Sequence, residues 1–388
     1  MAQTYDAIVI GAGVVGVSIA FHLAEQGLKP VILERREIAC GATGRSSGLV
    51  RMHYDLEAES RLAWVSFQYF RNWRERVGGE CGFTRTGFLY IDSPKHNTQL
   101  RANVEMHKRI GILTDVITAD DVKRLAPAFV TDDFELAAYE PESGYADPAL
   151  TTGSFLEAAK ARGAAYVQDC EVTAIQVSSG KVTGAQTNRG DYSAPIIVNA
   201  AGAWAARIGR MVDEIIPLDT WTHDVAHLRR PPEVGDHPTV IDSALSMYFR
   251  PDTGGLTLVA LEDHNRLGEP PDSESRYVAK DFVQRAVDRL CRRIPAMESG
   301  SLHSSHVGRD GLTPDQRAIL GQAGPQGFYL ATGFSGTGFK TSPAVGLCMA
   351  EMIVNGRAAT IDISGFGLDR FGRGELLKGE HDYGSIWH

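Results

Sequence analysis

The chain has 388 residues, 43% of them hydrophobic and 22% charged, with a formal net charge of −9. These values exclude a disordered, collagenous or coiled-coil chain, and at roughly 100–200 residues per domain they predict two or three domains. There is no basic block to grip nucleic acid, and the five scattered cysteines (Cys40, Cys81, Cys170, Cys291, Cys348) form neither a C-x-x-C pair nor a disulfide framework.

The chain starts MAQTYD, without a cationic n-region, and its apolar residues 7–21 are too few to span a bilayer. A cytoplasmic protein with no membrane span is expected. Residues 5–34 read as strand, glycine turn, helix, strand. Residues 56–77 predict an amphipathic helix with Leu62, Val65, Tyr69, Trp73 and Val77 on one face. A strand at 88–92, a polar helix at 95–110 and a strand at 134–140 follow. The helix within 144–164 is well signalled, with Asp147 as cap, Pro148 in the first turn and Gly163 at the end. Residues 166–200 alternate as strands around turns at Ser179-Gly180 and Gly190-Asp191. Several short strands in 213–265 suggest an antiparallel sheet. Helices are predicted over 277–293 and 343–355, with a strand at 327–333 between them.

The sharpest motif is Gly11-Ala12-Gly13-Val14-Val15-Gly16. Gly11 permits a tight turn, Gly13 lets backbone approach a pyrophosphate, and Gly16 lets the helix pack close to the sheet. Glu34 ends the next strand, 23 residues beyond Gly11, where a carboxylate accepts ribose hydroxyls. This is a Rossmann-like dinucleotide site. Glycine is also the compositional outlier, 41 of 388 residues or about 11% against a usual ~7%.

Further segments follow in order: Gly41-Ala42-Thr43-Gly44-Arg45-Ser46-Ser47-Gly48-Leu49-Val50-Arg51, Gly144-Tyr145-Ala146-Asp147-Pro148 and Val198-Asn199-Ala200-Ala201-Gly202-Ala203-Trp204. Then come Leu312-Thr313-Pro314-Asp315, and Ala331-Thr332-Gly333-Phe334-Ser335-Gly336-Thr337-Gly338-Phe339-Lys340, followed by Gly346. As a set, over residues 5 to about 355, they resemble the D-amino acid oxidase superfamily of FAD enzymes, nearest its sarcosine oxidase and sarcosine oxidase β-subunit branch.

The resemblance implies an α/β plus α+β protein. A discontinuous FAD-binding domain (1–85, 144–212, 303–388) carries a substrate-binding domain (86–143, 213–302) built on a mainly antiparallel sheet. Beyond the glycine loop and Glu34, it places Arg35, Thr43, Gly44, Arg45, Ser46, Ser47, Gly48, Leu49 and Val172 against FAD. Ala201, Gly202, Trp204, Gly308, Gly333, Phe334, Gly336, Thr337, Gly338 and Phe339 complete that set. Arg51 and Lys340 match the two cations that hold a substrate carboxylate above the flavin, and His53 and Tyr54 are expected to line the same pocket. Gly308 and Arg45 stand where relatives carry a flavin-tethering cysteine or histidine, so non-covalent FAD is expected. Thr257 stands where monomeric sarcosine oxidases carry an oxygen-activating lysine. Arg309 lies one residue from the place of a carboxylate-binding arginine in some relatives. Arg250, Tyr248 and Trp221 are further pocket candidates. The spacings of His223 with His227 and of His303 with His306 come without other ligands, so no metal is expected.

The implied activity is oxidation of a carboxylate-bearing amine, an N-methyl or secondary amino acid or a D-amino acid. A hydride equivalent passes to flavin N5, the imine hydrolyses, and oxygen or an electron-acceptor partner takes the electrons. Two alternatives stay open: a 2-hydroxy acid dehydrogenase, and an FAD-holding subunit of a hetero-oligomeric oxidase.

Overall fold

The computed structural model describes residues 3–384 apart from 274 and 276. Short apolar runs build a six-stranded sheet. Ala165–Val167, Pro30–Leu33, Ala7–Ile10, Ile197–Asn199 and Phe328–Thr332 lie side by side in that order, all parallel, and Ile319–Gln322 is antiparallel on the edge. The inner strands are buried on both faces, as parallel strands covered by helices must be. On one face the helix Val14–Glu25 packs between Pro148–Ala161 and Gly338–Asn355. A Cβ on Gly346 would lie 2.2 Å from Ser18 Oγ, so this glycine serves helix crossing. Chain order reverses between Ala7–Ile10 and Ile197–Asn199, which opens a crevice at the carboxyl ends of the strands.

The second large sheet is mainly antiparallel. Its order is Arg266–Leu267, Asp219–Arg229, Leu256–Leu261, Met247–Asp252, Thr239–Asp242, Phe88–Ile91, Leu136–Glu140 and Asp115–Thr118, with one parallel pair, Thr239–Asp242 on Phe88–Ile91. Strand alternation gives it two faces. Ala226, Phe249 and Val259 pack under the helix Phe282–Arg293, through Phe282, Ala286 and Leu290. Val225, Ile241, Tyr248 and Leu258 pack with Leu49 on the other face. A three-stranded bridge, with Gly144–Tyr145 between Leu49–Val50 and Thr84–Arg85, ends next to Arg51.

Four details differ from the sequence expectations. The helix expected over 56–77 divides at Asn72 (φ −121°) into Glu57–Arg71 and Trp73–Arg76. The second hairpin turns at residues 188–189, and Gly190 (φ +103°) opens the next strand. The last long helix starts at Gly338, five residues before Pro343. Pro343 has no N–H for the Phe339 carbonyl, and the Ser342 hydroxyl donates to that carbonyl instead, at 2.8 Å. Finally, Ser301–Leu312 is one twelve-residue strand paired along Asp219–Arg229, so it runs across the expected boundary at 302–303.

The C-terminal segment straps the two halves. Arg370 forks onto Asp315 at 2.7 and 2.9 Å, both side chains 1% exposed, and Leu377 N–H donates to the same carboxylate. Arg317 joins Asp55 at 2.7 Å and Glu59. Glu380 N–H donates to Asp55 O, and the Tyr383 hydroxyl meets His53 Nε2 at 2.9 Å. Among the described residues no helix is long and apolar enough to cross a membrane.

Burial drives the imidazoles of His107, His223 and His237 down to about 4, 3 and 4. Above pH 6.5 they are neutral in both states and their contribution to stability is full. As pH falls from 6.5 towards 4, the unfolded chain binds protons that the folded chain refuses. Stability should therefore fall by up to about 1.4 kcal/mol per pH unit for each histidine. Urea midpoints at pH 7 and pH 5 measure the slope, and His237→Gln should make it shallower.

Candidate active site

A cavity of about 290 Å³ runs along the crevice, from Glu34 to Lys340. At its first end Gly11 (φ +106°) turns the chain so tightly that a Cβ would sit 2.7 Å from Ala200 O. A Cβ on Gly16 would sit 2.1 Å from Gly11 O, so only glycine lets the helix start this close to the strand. The helix has Gly13 at its N-cap and no side-chain cap; Val14 N–H donates to Thr43 Oγ1 at 3.1 Å. Glu34 braces the loop, accepting Ala12 N–H and Arg36 N–H at 2.8 Å each. Gly11, Gly13, Val14, Val15 and Glu34 all line the cavity.

Around this end stand Arg35, Val172, Ala201, Gly202 and Trp204. The Arg35 guanidinium lies 4.8 Å from the Trp204 ring centroid. Both bind Asp272, Arg35 at 2.6 Å and the Trp204 indole N–H at 2.7 Å, and Arg207 joins them. Partial burial opposes ionisation of Asp272, but these three donors hold its carboxyl well below the usual range. Along the middle run Thr43, Arg45, Ser46, Ser47, Leu49 and Gly308. Ser47 O accepts Arg250 Nε at 2.5 Å, which ties this loop to the antiparallel sheet.

At the far end Arg51 and Lys340 converge, 3% and 8% exposed. The Arg51 guanidinium lies 4.2 Å from the Tyr54 ring centroid, and Lys340 Nζ lies 6.0 Å from the same centroid. Arg51 also donates to His53 O, and Lys340 donates to Gly336 O at 3.0 Å. Burial, then the charge of Arg51, holds the Lys340 ammonium well below its usual range. Glu140 accepts Met52 N–H at 2.9 Å and the Ser143 hydroxyl at 2.6 Å, and burial pushes its carboxyl up to about 7. Phe334, Gly336, Gly338 and Phe339 complete this wall, opposite His223, Val225, Ile241 and Tyr248 of the antiparallel sheet.

Several expected site residues stand behind the wall. Ala12, Gly16, Gly44, Gly48, Gly333 and Thr337 do not line the cavity; Gly16, Gly44 and Gly48 let backbones approach. A Cβ on Gly44, Gly48 or Gly333 would sit 2.5, 2.2 or 2.5 Å from its neighbour, and the Thr337 hydroxyl caps Phe334 O at 2.8 Å. His53 and Tyr54 are fully buried and absent from the wall. His53 stacks on Tyr90, with ring centroids 4.7 Å apart, and Tyr54 lies beneath the two cations.

Thr257 faces away as well, hydrogen-bonded to His237 Nε2 at 3.0 Å, while Leu258 shares the cavity-side face of the sheet. Of the three pocket candidates in the antiparallel sheet, Tyr248 lines the cavity and Arg250 and Trp221 do not. Arg309 reaches the wall, but its guanidinium is turned to Glu269 and Ser275 O. Sequence reasoning missed His223, Ile241 and Asp310; strand alternation from Gly308 was the one signal that pointed to Asp310. Among the described residues no three or more His, Cys, Asp or Glu side chains group as a metal site, and His227 stacks instead on His306, with ring centroids 5.6 Å apart.

The chain is similar to sarcosine dehydrogenase of Homo sapiens, 29% identical over 95% of this chain and 42% of that protein. It is 24% identical to dimethylglycine dehydrogenase of Rattus norvegicus, over 90% of this chain and 43% of the relative. The chain thus spans about two fifths of the length of these relatives. Among solved structures, an L-proline dehydrogenase from P. horikoshii superposes with a TM-score of 0.90 at 27% identity, covering 97% of this chain and all of the other. The family model for FAD-dependent oxidoreductases matches residues 6–352, nearly all of the two sheets and the cavity between them, and the chain belongs to that family, DAO.

Proposed function

We propose that the chain holds FAD non-covalently and oxidises a secondary amine that carries a carboxylate. The observation that carries this reading is the pair of buried cations, Arg51 and Lys340, over one tyrosine ring at the end of a cavity that begins at a glycine loop. Sarcosine and L-proline, named in two relatives, share a secondary amine beside a carboxylate.

The residues present fit FAD. A helix N-terminus whose N-cap is the side-chain-free Gly13 suits a pyrophosphate, Glu34 suits a ribose, and the cavity continues past Ser47 and Gly308 to the glycines at 336 and 338. A Cβ built on Gly308 lies 3.5 Å from Arg45 Cβ, and neither residue offers a nucleophile for a tether. FAD, when bound, supplies a two-electron acceptor for the C–H bond beside the amine.

The chain's own residues supply position. Arg51 presents a planar fork to the carboxylate, and its angle is set by the Tyr54 ring and His53 O. Lys340 adds a point charge, and an arriving carboxylate favours its protonated form. Val225, Ile241 and the neutral His223 wall the amine end and exclude water. Such fixing of a reacting carbon accounts for much of the rate in this chemistry.

Anaerobic addition of sarcosine, N-methylalanine, L-proline, D-alanine and lactate should bleach the yellow protein with secondary amino acids and not with lactate. Bleaching by lactate alone would select a 2-hydroxy acid dehydrogenase, and bleaching by none would reject the substrate class. Reoxidation by oxygen or only by an added dye then separates oxidase from dehydrogenase. Arg51→Lys should retain FAD but raise KM roughly 10–100-fold, the loss of a charge-assisted bidentate contact of about 1.5–3 kcal/mol. Acid precipitation should leave the yellow colour in the supernatant; a coloured pellet would mean a covalent bond.

A further inference from the structure

The strand Ser301–Leu312 carries a carboxylate into the cation-lined end of the cavity. Gly308 and Asp310 share one face of it, opposite His223 and Trp221 of the paired strand. Among the described residues three acids line the cavity: Glu34 and Glu171 stand by Arg35 at the first end, and Asp310 stands with Lys340. Its orientation is fixed at both oxygens, by Gly311 N–H and by Gly336 N–H, each at 2.8 Å. Gly336 is thus held at both ends, its N–H by Asp310 and its carbonyl by Lys340. A carboxylate has about four lone-pair sites, and these bonds use two.

A zwitterionic amino acid whose carboxylate lies on Arg51 and Lys340 needs a negative partner for its ammonium. We propose that Asp310 is that partner, binding the substrate ammonium and taking one of its protons so that the amine reacts in neutral form. This rests on the amine reading above. In the step one N–H bond breaks, the proton passes to an Asp310 oxygen, and the electron pair stays on nitrogen. Asp310 becomes a neutral acid and keeps both backbone donors.

Among the described residues the other charged or titratable groups on the wall here are Arg45, Arg51, Arg309, His223, Tyr248 and Lys340. Arg309 is occupied by Glu269, and burial keeps His223 neutral. Burial raises the Asp310 carboxyl against the pull of its two N–H donors and of Lys340, which suits it to hold a proton.

The test compares sarcosine with methoxyacetate, its ether analogue without an ammonium, on the FAD-loaded protein. Binding is read by calorimetry and by the flavin spectrum. Asp310→Asn should weaken sarcosine at least 10-fold and leave methoxyacetate unchanged or tighter. In the reductive half-reaction its rate should rise only at pH values at least one unit more alkaline than in the wild type, and Asp310→Glu should restore part of the wild-type profile. Equal loss of both ligands with an unmoved pH profile would overturn the proposal and assign Asp310 to holding the Gly336 loop. If the wild type binds neither ligand, the amine reading itself fails. If Asp310→Asn is isolated without FAD, Asp310→Ser takes its place, and equal loss of both ligands with an unmoved pH profile would again count against the proposal.

Discussion

Two basic side chains are buried side by side, and the rest of the molecule is arranged around keeping them there. Both side chains are buried, and burial and the charge of Arg51 disfavour the charge of Lys340. What offsets this is distributed: the face of Tyr54, the carbonyls of His53 and Gly336, and the nearby carboxyls of Glu59, Glu140 and Asp310. Burial opposes the charge of those carboxyls too. On the proposed reading, the substrate carboxylate supplies the missing negative charge.

Each cation is delivered by a different device. Arg51 follows a strand in the three-stranded bridge, and the next backbone N–H is held by Glu140. Lys340 sits in the first turn of an eighteen-residue helix, where the helix dipole disfavours a cation. Both placements are locally unfavourable, and both are imposed by tertiary structure. The strap formed by the C-terminal segment closes this arrangement from behind. Tyr383 and His53 pack into an aromatic cluster with Tyr90 and His107, directly under the loop that carries Arg51.

The local parts of this design were legible in the amino-acid order. The glycine loop, its strand, its helix and Glu34 sit within thirty residues and each depends only on near neighbours. The family's segments also located Arg51 and Lys340. What escaped was direction. His53 and Tyr54 follow Arg51, yet they point into the core, because a loop pinned by Tyr383 and His107 does not alternate predictably. Ser301–Leu312 is rich in serine, histidine and glycine, so its strand character was weak, and without it Arg309 and Asp310 had no assigned faces. Pro343 read as a helix start because proline favours that position; a serine hydroxyl serving the freed carbonyl let the helix begin earlier. Asp272 meets Arg35 and Trp204 across 237 and 68 residues, a contact that no local pattern announces.

The crossing of Val14–Glu25 with Gly338–Asn355 has a consequence for biosynthesis. Ser18 and Ser342, which join the two helices, are separated by 324 residues. At about 5–20 residues per second the first helix waits roughly 20–60 s for its partner to emerge from the ribosome. Eleven of its twelve residues are buried in the finished fold and have no completed surface to cover them during that interval. Until then the helix lacks part of the surface that covers it in the finished fold. The cofactor cavity, walled by segments from residue 10 to residue 340, is among the last features to exist.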